Sequence, residues 1–373
     1  SLSFCIFIQI GMLPLIIYFQ YEAPAFSFLA NVAAVPLATC AFTLAFLLIF
    51  LPYTVFHEAI SWMIQGVLWI SRQSYGMLTI GHVPFLWVLL FYFMTGLWIW
   101  KKNGQNRHIR ISLAYVIMII LIWIPMARRK SLAFLDVGQG DCFVADTKSG
   151  AIIFDGGSSS EDQVGRYRIL PYMKYLGYQK IQIAVISHMD IDHYSGIKEL
   201  LEMGKIKYLG LPEIPKDETM KKIIGIAKKR GTTIFYLSRG RQITTKDGSL
   251  KVLHPQKNSQ MEKNAASLVM QGKILGYRVL LTGDVEKEGE EELLSEELER
   301  ADILKAAHHG SKNSTSNEFL QKVQPKQTVI SCGKQNRYGH PHLETIHRLQ
   351  TYHTKIYRTD RSGAIIFFKR RDG

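Results

Sequence analysis

Cysteine is scarce in this chain, and acids are nearly missing from its first third. Only Cys5, Cys40, Cys142 and Cys332 occur, without CxxC spacing, and two of them lie in apolar runs. Neither a thiolate zinc cluster nor a disulfide framework is indicated, and the cysteines leave the redox compartment open. Up to Lys130 the only acids are Glu22 and Glu58, against eight bases. That poverty of charge excludes a purely soluble protein. There is no internal repeat and no low-complexity tract. With 47% apolar and 20% charged residues the chain is not disordered, and 373 residues suggest two or three units. The formal charge is +14, and both the acid-poor part and the remainder are basic. Such a balance favours an anionic partner: nucleic acid, a phosphate polymer or acidic lipid.

Four apolar runs occupy the first part: Phe4–Phe19, Ser27–Leu51, Val83–Trp100 and Ile111–Met126. A bilayer span takes about 20 predominantly apolar residues, with a range near 17–25. The second and third runs satisfy this, and the first and fourth sit at the short limit. The first run lacks a basic start and is followed by more apolar segments, which argues against a secretory signal. The chain starts at Ser1 inside an apolar pattern, so the expectation is a fragment whose earlier membrane segments are missing. Glu58, Ser61, Gln65 and Arg72 recur on one helical stripe. They fit an interfacial helix, with Trp62 and Trp69 at the headgroups, or a helix lining a polar path. The loop Lys101–Arg110 places its bases in the cytoplasm by the positive-inside rule, whereas Arg128, Arg129 and Lys130 argue for the opposite side. The sequence therefore leaves the topology open.

From Ser131 the text changes to alternating strands and helices, an α/β layered unit of residues 131–373 after a membrane part of residues 1–127. Polar residues follow the apolar strands. The strand Ile181–Ser187 runs into His188-Met189-Asp190-Ile191-Asp192-His193, which offers four ligand side chains in six residues. Such crowding is costly without a compensating cation, and this spacing can hold two metals close together. The strand in YRVLLTGD delivers Asp284, where one carboxylate could bridge two cations. LKAAHHGS places His308 and His309 after another strand, and YGHPH carries His340 and His342. His254, His347 and His353 lack such surroundings and read as structural or exposed.

Taken in order, these residues resemble the metallo-β-lactamase fold, an αββα sandwich. Asp155 in FDGG resembles its first motif, His188–His193 its HxHxDH motif, Asp284 the bridging ligand, and His308 or His309 the final one. The finer pattern of Leu135–Asp141 (LDVGQGD), FDGG, SHxDxDHxSG, TGD, HHGS and NxYGHPH is similar to the ComEC family of competence proteins. The apolar part resembles the end of that family's competence domain, notably around Leu29–Leu37. Asp190 replaces the usual second histidine, an oxygen ligand that could admit Mn²⁺ as readily as Zn²⁺. A further histidine ligand is missing, and Asn264 or His254 stands as its replacement.

The resemblance implies a multi-pass membrane protein for DNA uptake with an extracytoplasmic hydrolase domain. That domain would use two divalent ions, Zn²⁺ or Mn²⁺, to cut DNA phosphodiesters, degrading one strand while the other is transported. The implied ligands are His188, Asp190, Asp192, His193, Asp284, His308 and His309. Asp155, Asp192 and His340 are the expected catalytic residues. His340 would donate to the phosphate, and bases in Lys305–Lys312 and Lys334–Arg337 would steer the backbone. DNA, the lipid bilayer, other competence-machinery proteins and further copies of the chain are the expected partners. A catalytically weak DNA-guiding module and a different metal-dependent phosphodiesterase are the competing expectations.

Overall fold

The computed structural model describes residues 2–25, 27–50, 54–71, 76–100, 129–262 and 264–370. The chain divides into two compact units, Ser1–Met126 together with Lys174–Gly177, and the remainder from Ala127 onward. The run Ile111–Met126, the loop Lys101–Arg110, Arg72 and Arg128 lie outside the described residues.

The first unit holds helices Leu2–Gln20, Ser27–Leu47, Thr54–Ser71 and Phe85–Trp100, with a short ribbon pairing Glu22 with Thr79. Among the described residues one helix, over Leu29–Leu47, is long and apolar enough to cross a membrane. Its side chains are largely unburied, with Phe42 76% exposed. In the run Val83–Trp100 the helix starts at Phe85, after Pro84, and the apolar stretch among the described residues is Phe85–Leu97. Proline disfavours helical backbone in the residue before it, which fixes that late start. On the helix Thr54–Ser71 the residues Glu58, Ser61 and Gln65 are all exposed, and Gln65 Nε2 donates to Ser61 Oγ at 3.4 Å. They share one stripe, and Trp62 and Trp69 are exposed on the same helix.

The second unit is built from two seven-stranded sheets. One runs, in spatial order, Ile365–Phe368, Ser131–Phe134, Phe143–Thr147, Gly150–Phe154, Ile181–Val185, Ile206–Pro212 and Thr233–Leu237. The other runs Lys355–Arg358, Gln327–Ile330, Ile303–Lys305, Tyr277–Leu281, Val269–Ile274, Gly248–His254 and Gln242–Thr245. Side chains alternate across a strand, so each strand feeds two layers. Ile152 and Phe154 join the core between the sheets with Val185, Met270, Val279 and Leu281. Leu280 points the other way, into a cluster with Phe319, Leu320, Val323 and Leu349, where helices cover the second sheet. On the far side the helix Ile191–Glu202 buries Ile197, Leu200 and Leu201. The result is the helix–sheet–sheet–helix order of an αββα sandwich. Strands buried on both faces read as continuous apolar runs, which is why Ile181–Val185 and Tyr277–Leu281 are plain in the sequence.

Candidate metal centre

Several strands deliver their C-terminal ends to one rim. Gly150–Phe154 and Ile181–Val185 are parallel neighbours, as are Tyr277–Leu281 and Ile303–Lys305 in the opposite sheet. Ser131–Phe134 points the same way as the first pair, being two antiparallel steps removed. The loops that follow are braided by backbone bonds. Asp141 N donates to Asp192 O at 3.0 Å, Gly156 N to His193 O at 2.8 Å, and Gly157 N to Asp141 O at 3.1 Å. Glycine is needed for that approach: a Cβ on Gly157 would stand 2.6 Å from the backbone nitrogen of His193, and one on Gly140 2.2 Å from Gly157 O.

Inside this braid Asp141, His193, Asp284 and His309 offer ligand atoms within 4.8 Å of one another, all buried. His193 Nε2 lies 3.2 Å and His309 Nε2 3.4 Å from the same oxygen, Asp284 Oδ2. Asp192 Oδ2 is 3.3 Å from His309 Nε2, so it joins the cage from the first turn of the helix Ile191–Glu202. The other ring nitrogens are anchored. His193 Nδ1 faces Asp155 Oδ2 at 3.0 Å, while Asp155 Oδ1 accepts the Ser187 amide at 2.7 Å. His309 Nδ1 donates to Ser331 O at 2.9 Å. Both His308 and His309 sit in the left-handed region, at φ 47° and 52°, so the turn is strained in the manner of functional loops.

The donors suit a divalent cation. Nε2 of His188, His193 and His309 are buried without a hydrogen-bond partner, although carboxylate oxygens stand 3.5, 3.2 and 3.3 Å away. Buried imidazole nitrogens normally find a partner, and imidazole with carboxylate is the donor set of zinc and manganese. Asp141, Asp192, His193, Asp284 and His309 would hold one ion. His188 Nε2 with Asp190 Oδ2, 3.5 Å apart at the cage margin, are the candidates for a second.

Charge is packed densely here. Burial alone would push His309 down, but Asp284 and Asp141 hold it up at about 10. His193 is treated alike: burial opposes the charge, and Asp284 and Asp155 raise it well above the ordinary range. For Asp284 burial is overcome by His193, His309 and Lys305, which hold the carboxyl well below the ordinary range. Lys305 is fully buried; its Nζ donates to Gly283 O at 2.8 Å, lies 3.4 Å from Asp284 Oδ1, and is paired with Asp141.

The expected site residues therefore fall into distinct places. Asp192, His193, Asp284 and His309 converge. His308 turns aside, its Nδ1 2.7 Å from Glu286 Oε1 and its Nε2 3.8 Å from Asp284. Asp155, expected as catalytic, is fully buried beneath His193 and does not line the pocket, so its geometry is that of a positioning residue. His340 lines the pocket of about 310 Å³ above the cage, together with Asp190, Asp192, Asp284, His308 and His309. Its Nδ1 is buried without a partner. Burial, then His309, His308 and His342, pushes it down to about 4, so it is neutral at pH 7. His254 is not in that group of ligand atoms: Nε2 lies 2.6 Å from Ala265 O and Nδ1 3.1 Å from Glu292. Asn264 lines a neighbouring cleft of about 890 Å³ with Asp190. Lys305 is too deep to steer a polyanion, and of the expected steering bases Lys312, Lys334 and Arg337 are exposed.

Asp141 and Lys305 were missed as members of the cage. The signal for Asp141 was the Gly-Gln-Gly-Asp turn after an apolar strand. The signal for Lys305 was a lysine inside the apolar strand Ile303–Lys305.

Two stretches of the chain match known protein families. Residues 135–334 match the metallo-beta-lactamase superfamily and residues 2–105 the competence protein family. The chain is 31% identical to the ComE operon protein 3 of Bacillus subtilis over 400 residues, covering 98% of this chain and 51% of that protein. It is 30% identical to the competence protein ComA of Neisseria gonorrhoeae, over 64% of this chain and 32% of that protein. It is 27% identical to recombination protein 2 of Haemophilus influenzae, over 71% and 32%. The chain thus spans about half of the first of these relatives and about a third of the other two. Among solved structures, the metallo-beta-lactamase fold protein YhfI of Bacillus subtilis superposes with a TM-score of 0.44 at 13% identity, over 63% of this chain and 99% of that one.

Proposed function

Since the chain belongs to the metallo-β-lactamase superfamily and, with a competence-protein region ahead of that domain, to the ComEC family, we propose that it is a membrane protein of DNA uptake whose hydrolase domain cuts DNA phosphodiesters. One strand is degraded outside the cytoplasm while the other passes through the membrane part, in company with other competence proteins. The observation that carries this reading is the convergence of Asp141, Asp192, His193, Asp284 and His309 beneath one pocket.

Divalent ions held by these residues, Zn²⁺ or Mn²⁺, would supply Lewis-acid charge for a phosphoryl group and an acidified water. The chain's own groups do the rest. Asp155 fixes the His193 ring through Nδ1 and leaves Nε2 for the cage. Lys305 offsets part of the negative charge of Asp141 and Asp284. His340, neutral and lining the pocket, donates one ring N–H to a phosphate oxygen, a donor aimed where charge develops. The exposed flank of Leu29–Leu47 supports a lipid surrounding.

The test is the full chain in detergent, given Mn²⁺ or Zn²⁺ and labelled single-stranded DNA. Cleavage that a chelator abolishes is expected. A folded chain that cuts no DNA with any divalent metal sinks the nuclease reading. A second reading, a DNA-guiding module with weak hydrolysis, draws on the Lys305 ammonium inside the cage. Elemental analysis separates the two, since a folded chain that retains no ion favours the guide. A panel of small phosphodiesters tests the third possibility, a different substrate.

A further inference from the structure

The pocket over the cage has neighbours of opposite character. Beside Asp190 the larger cleft is lined by Glu262, Glu286, Glu288 and Glu291, with Lys287 as its one base. A polyanion is repelled there. On the pocket itself stands Tyr338, 44% exposed, in the same lining as Asp192, Asp284 and His309.

Tyr338 is held, not loose. Its ring lies within 22° of parallel to His340, centroids 5.7 Å apart. The Arg337 guanidinium carbon sits 4.9 Å from the ring centroid, and Arg337 Nη2 donates to the Tyr338 hydroxyl at 2.7 Å. Asn336 staples the loop. Its Oδ1 accepts the amides of Tyr338 and His340 at 3.2 and 3.0 Å, and its Nδ2 donates to Gly333 O and His340 O at 3.0 and 2.6 Å. An amide side chain that makes four bonds to its own loop fixes an aromatic ring that adds nothing to the core. A rigid aromatic ring beside a cation is the pattern by which proteins hold unpaired bases, because every base has a π-face.

We propose that Tyr338 is the stacking platform for the base next to the scissile phosphate of a single strand, with Arg337 swinging from its ring to that nucleotide's phosphate. The inference rests on the nuclease reading and adds a preference to it. Bases in a duplex are covered by their neighbours and cannot reach the ring, so the platform serves single strands.

The experiment measures binding by the full chain in detergent with chelator present, using fluorescence anisotropy of a labelled oligothymidylate and of a blunt duplex. Tyr338→Ala is expected to raise the Kd for the single strand about five-fold or more and to leave the duplex unchanged. Tyr338→Phe and Tyr338→Trp keep the affinity, since they keep the ring. Arg337→Gln lowers the slope of log K against log salt by about 0.7, one phosphate contact on a single strand. Thermal melts of each variant confirm folding. A Tyr338→Ala chain that binds the single strand as wild type does, or a Tyr338→Phe chain that loses as much as Tyr338→Ala, overturns the platform. If wild type cleaves DNA while Tyr338→Ala binds it unchanged, only the platform fails. If wild type neither binds nor cleaves any DNA, the nuclease reading fails and this inference with it.

Discussion

The buried ammonium of Lys305 lies 3.4 Å from Oδ1 of Asp284, while the other oxygen of that carboxylate faces His193 and His309. One carboxylate thus divides its two oxygens between a protein cation and the imidazoles of the cage. Lys305→Met keeps the length of the side chain and removes the charge, leaving Asp141 and Asp284 short of a partner. Breaking a buried pair in this way costs about 3–5 kcal/mol. Denaturant unfolding of the chelated protein should show that loss, and Mn²⁺ or Zn²⁺ should recover part of it. Unchanged stability without metal would mean that Lys305 is not the counter-charge.

The protons on His193 and His309 give a pH dependence with a definite sign. The folded value for His309, about 10, lies above the ordinary 6.5. Its contribution is therefore fully present below about pH 6.5 and is lost as pH rises through about 10. His193 is raised and acts in the same direction. Thermal melts of the metal-free chain should fall across that window. A flat profile between those limits would count against protonated imidazoles in the cage.

Metal competes for the same nitrogens, so binding must expel their protons. About two protons should leave per bound ion near neutral pH, and affinity should climb as pH rises. Calorimetry in buffers of different ionisation enthalpy reads this directly. Binding without proton release would place the ion elsewhere.

Much of the site could be read from the sequence because it is local. His188, Asp190, Asp192 and His193 fall within six residues, and Asp284 ends an unmistakable apolar strand. The start of the helix is harder to read: it begins at Ile191, with Asp190 in extended backbone at its N-cap. That start places Asp192 and His193 on the first turn, facing the cage. Other strands were hidden. Phe143–Thr147 and Gln327–Ile330 mix polar with apolar residues and are recognisable only from their neighbours. Asp141 and Lys305 were hidden for a related reason: they meet only when the two sheets close, across more than a hundred residues of chain. No periodicity records that pairing.

Asp192 tests the ligand assignment. Asp192→Ala should abolish cleavage and lower the bound metal, because it removes the carboxylate that meets His309 from the helix. His254→Gln, a change outside the cage, should leave the metal content unaltered. Full activity of Asp192→Ala would refute the assignment.

His340 separates metal binding from catalysis. Its ring lines the pocket yet stands outside the group of ligand atoms, and it remains neutral because burial and the neighbouring imidazoles push it down to about 4. A neutral imidazole can still donate one N–H to a phosphate oxygen. Removing one preorganised donor of this kind costs about 10²–10³ in kcat. His340→Ala should show such a loss while retaining the wild-type metal content, and the rate should be insensitive to His340 titration above about pH 5, because its proton has already left. Steady-state kinetics with elemental analysis on the same preparation decides the matter. A variant that loses metal together with activity would make His340 a support of the cage, whereas one that keeps both would remove it from the chemistry.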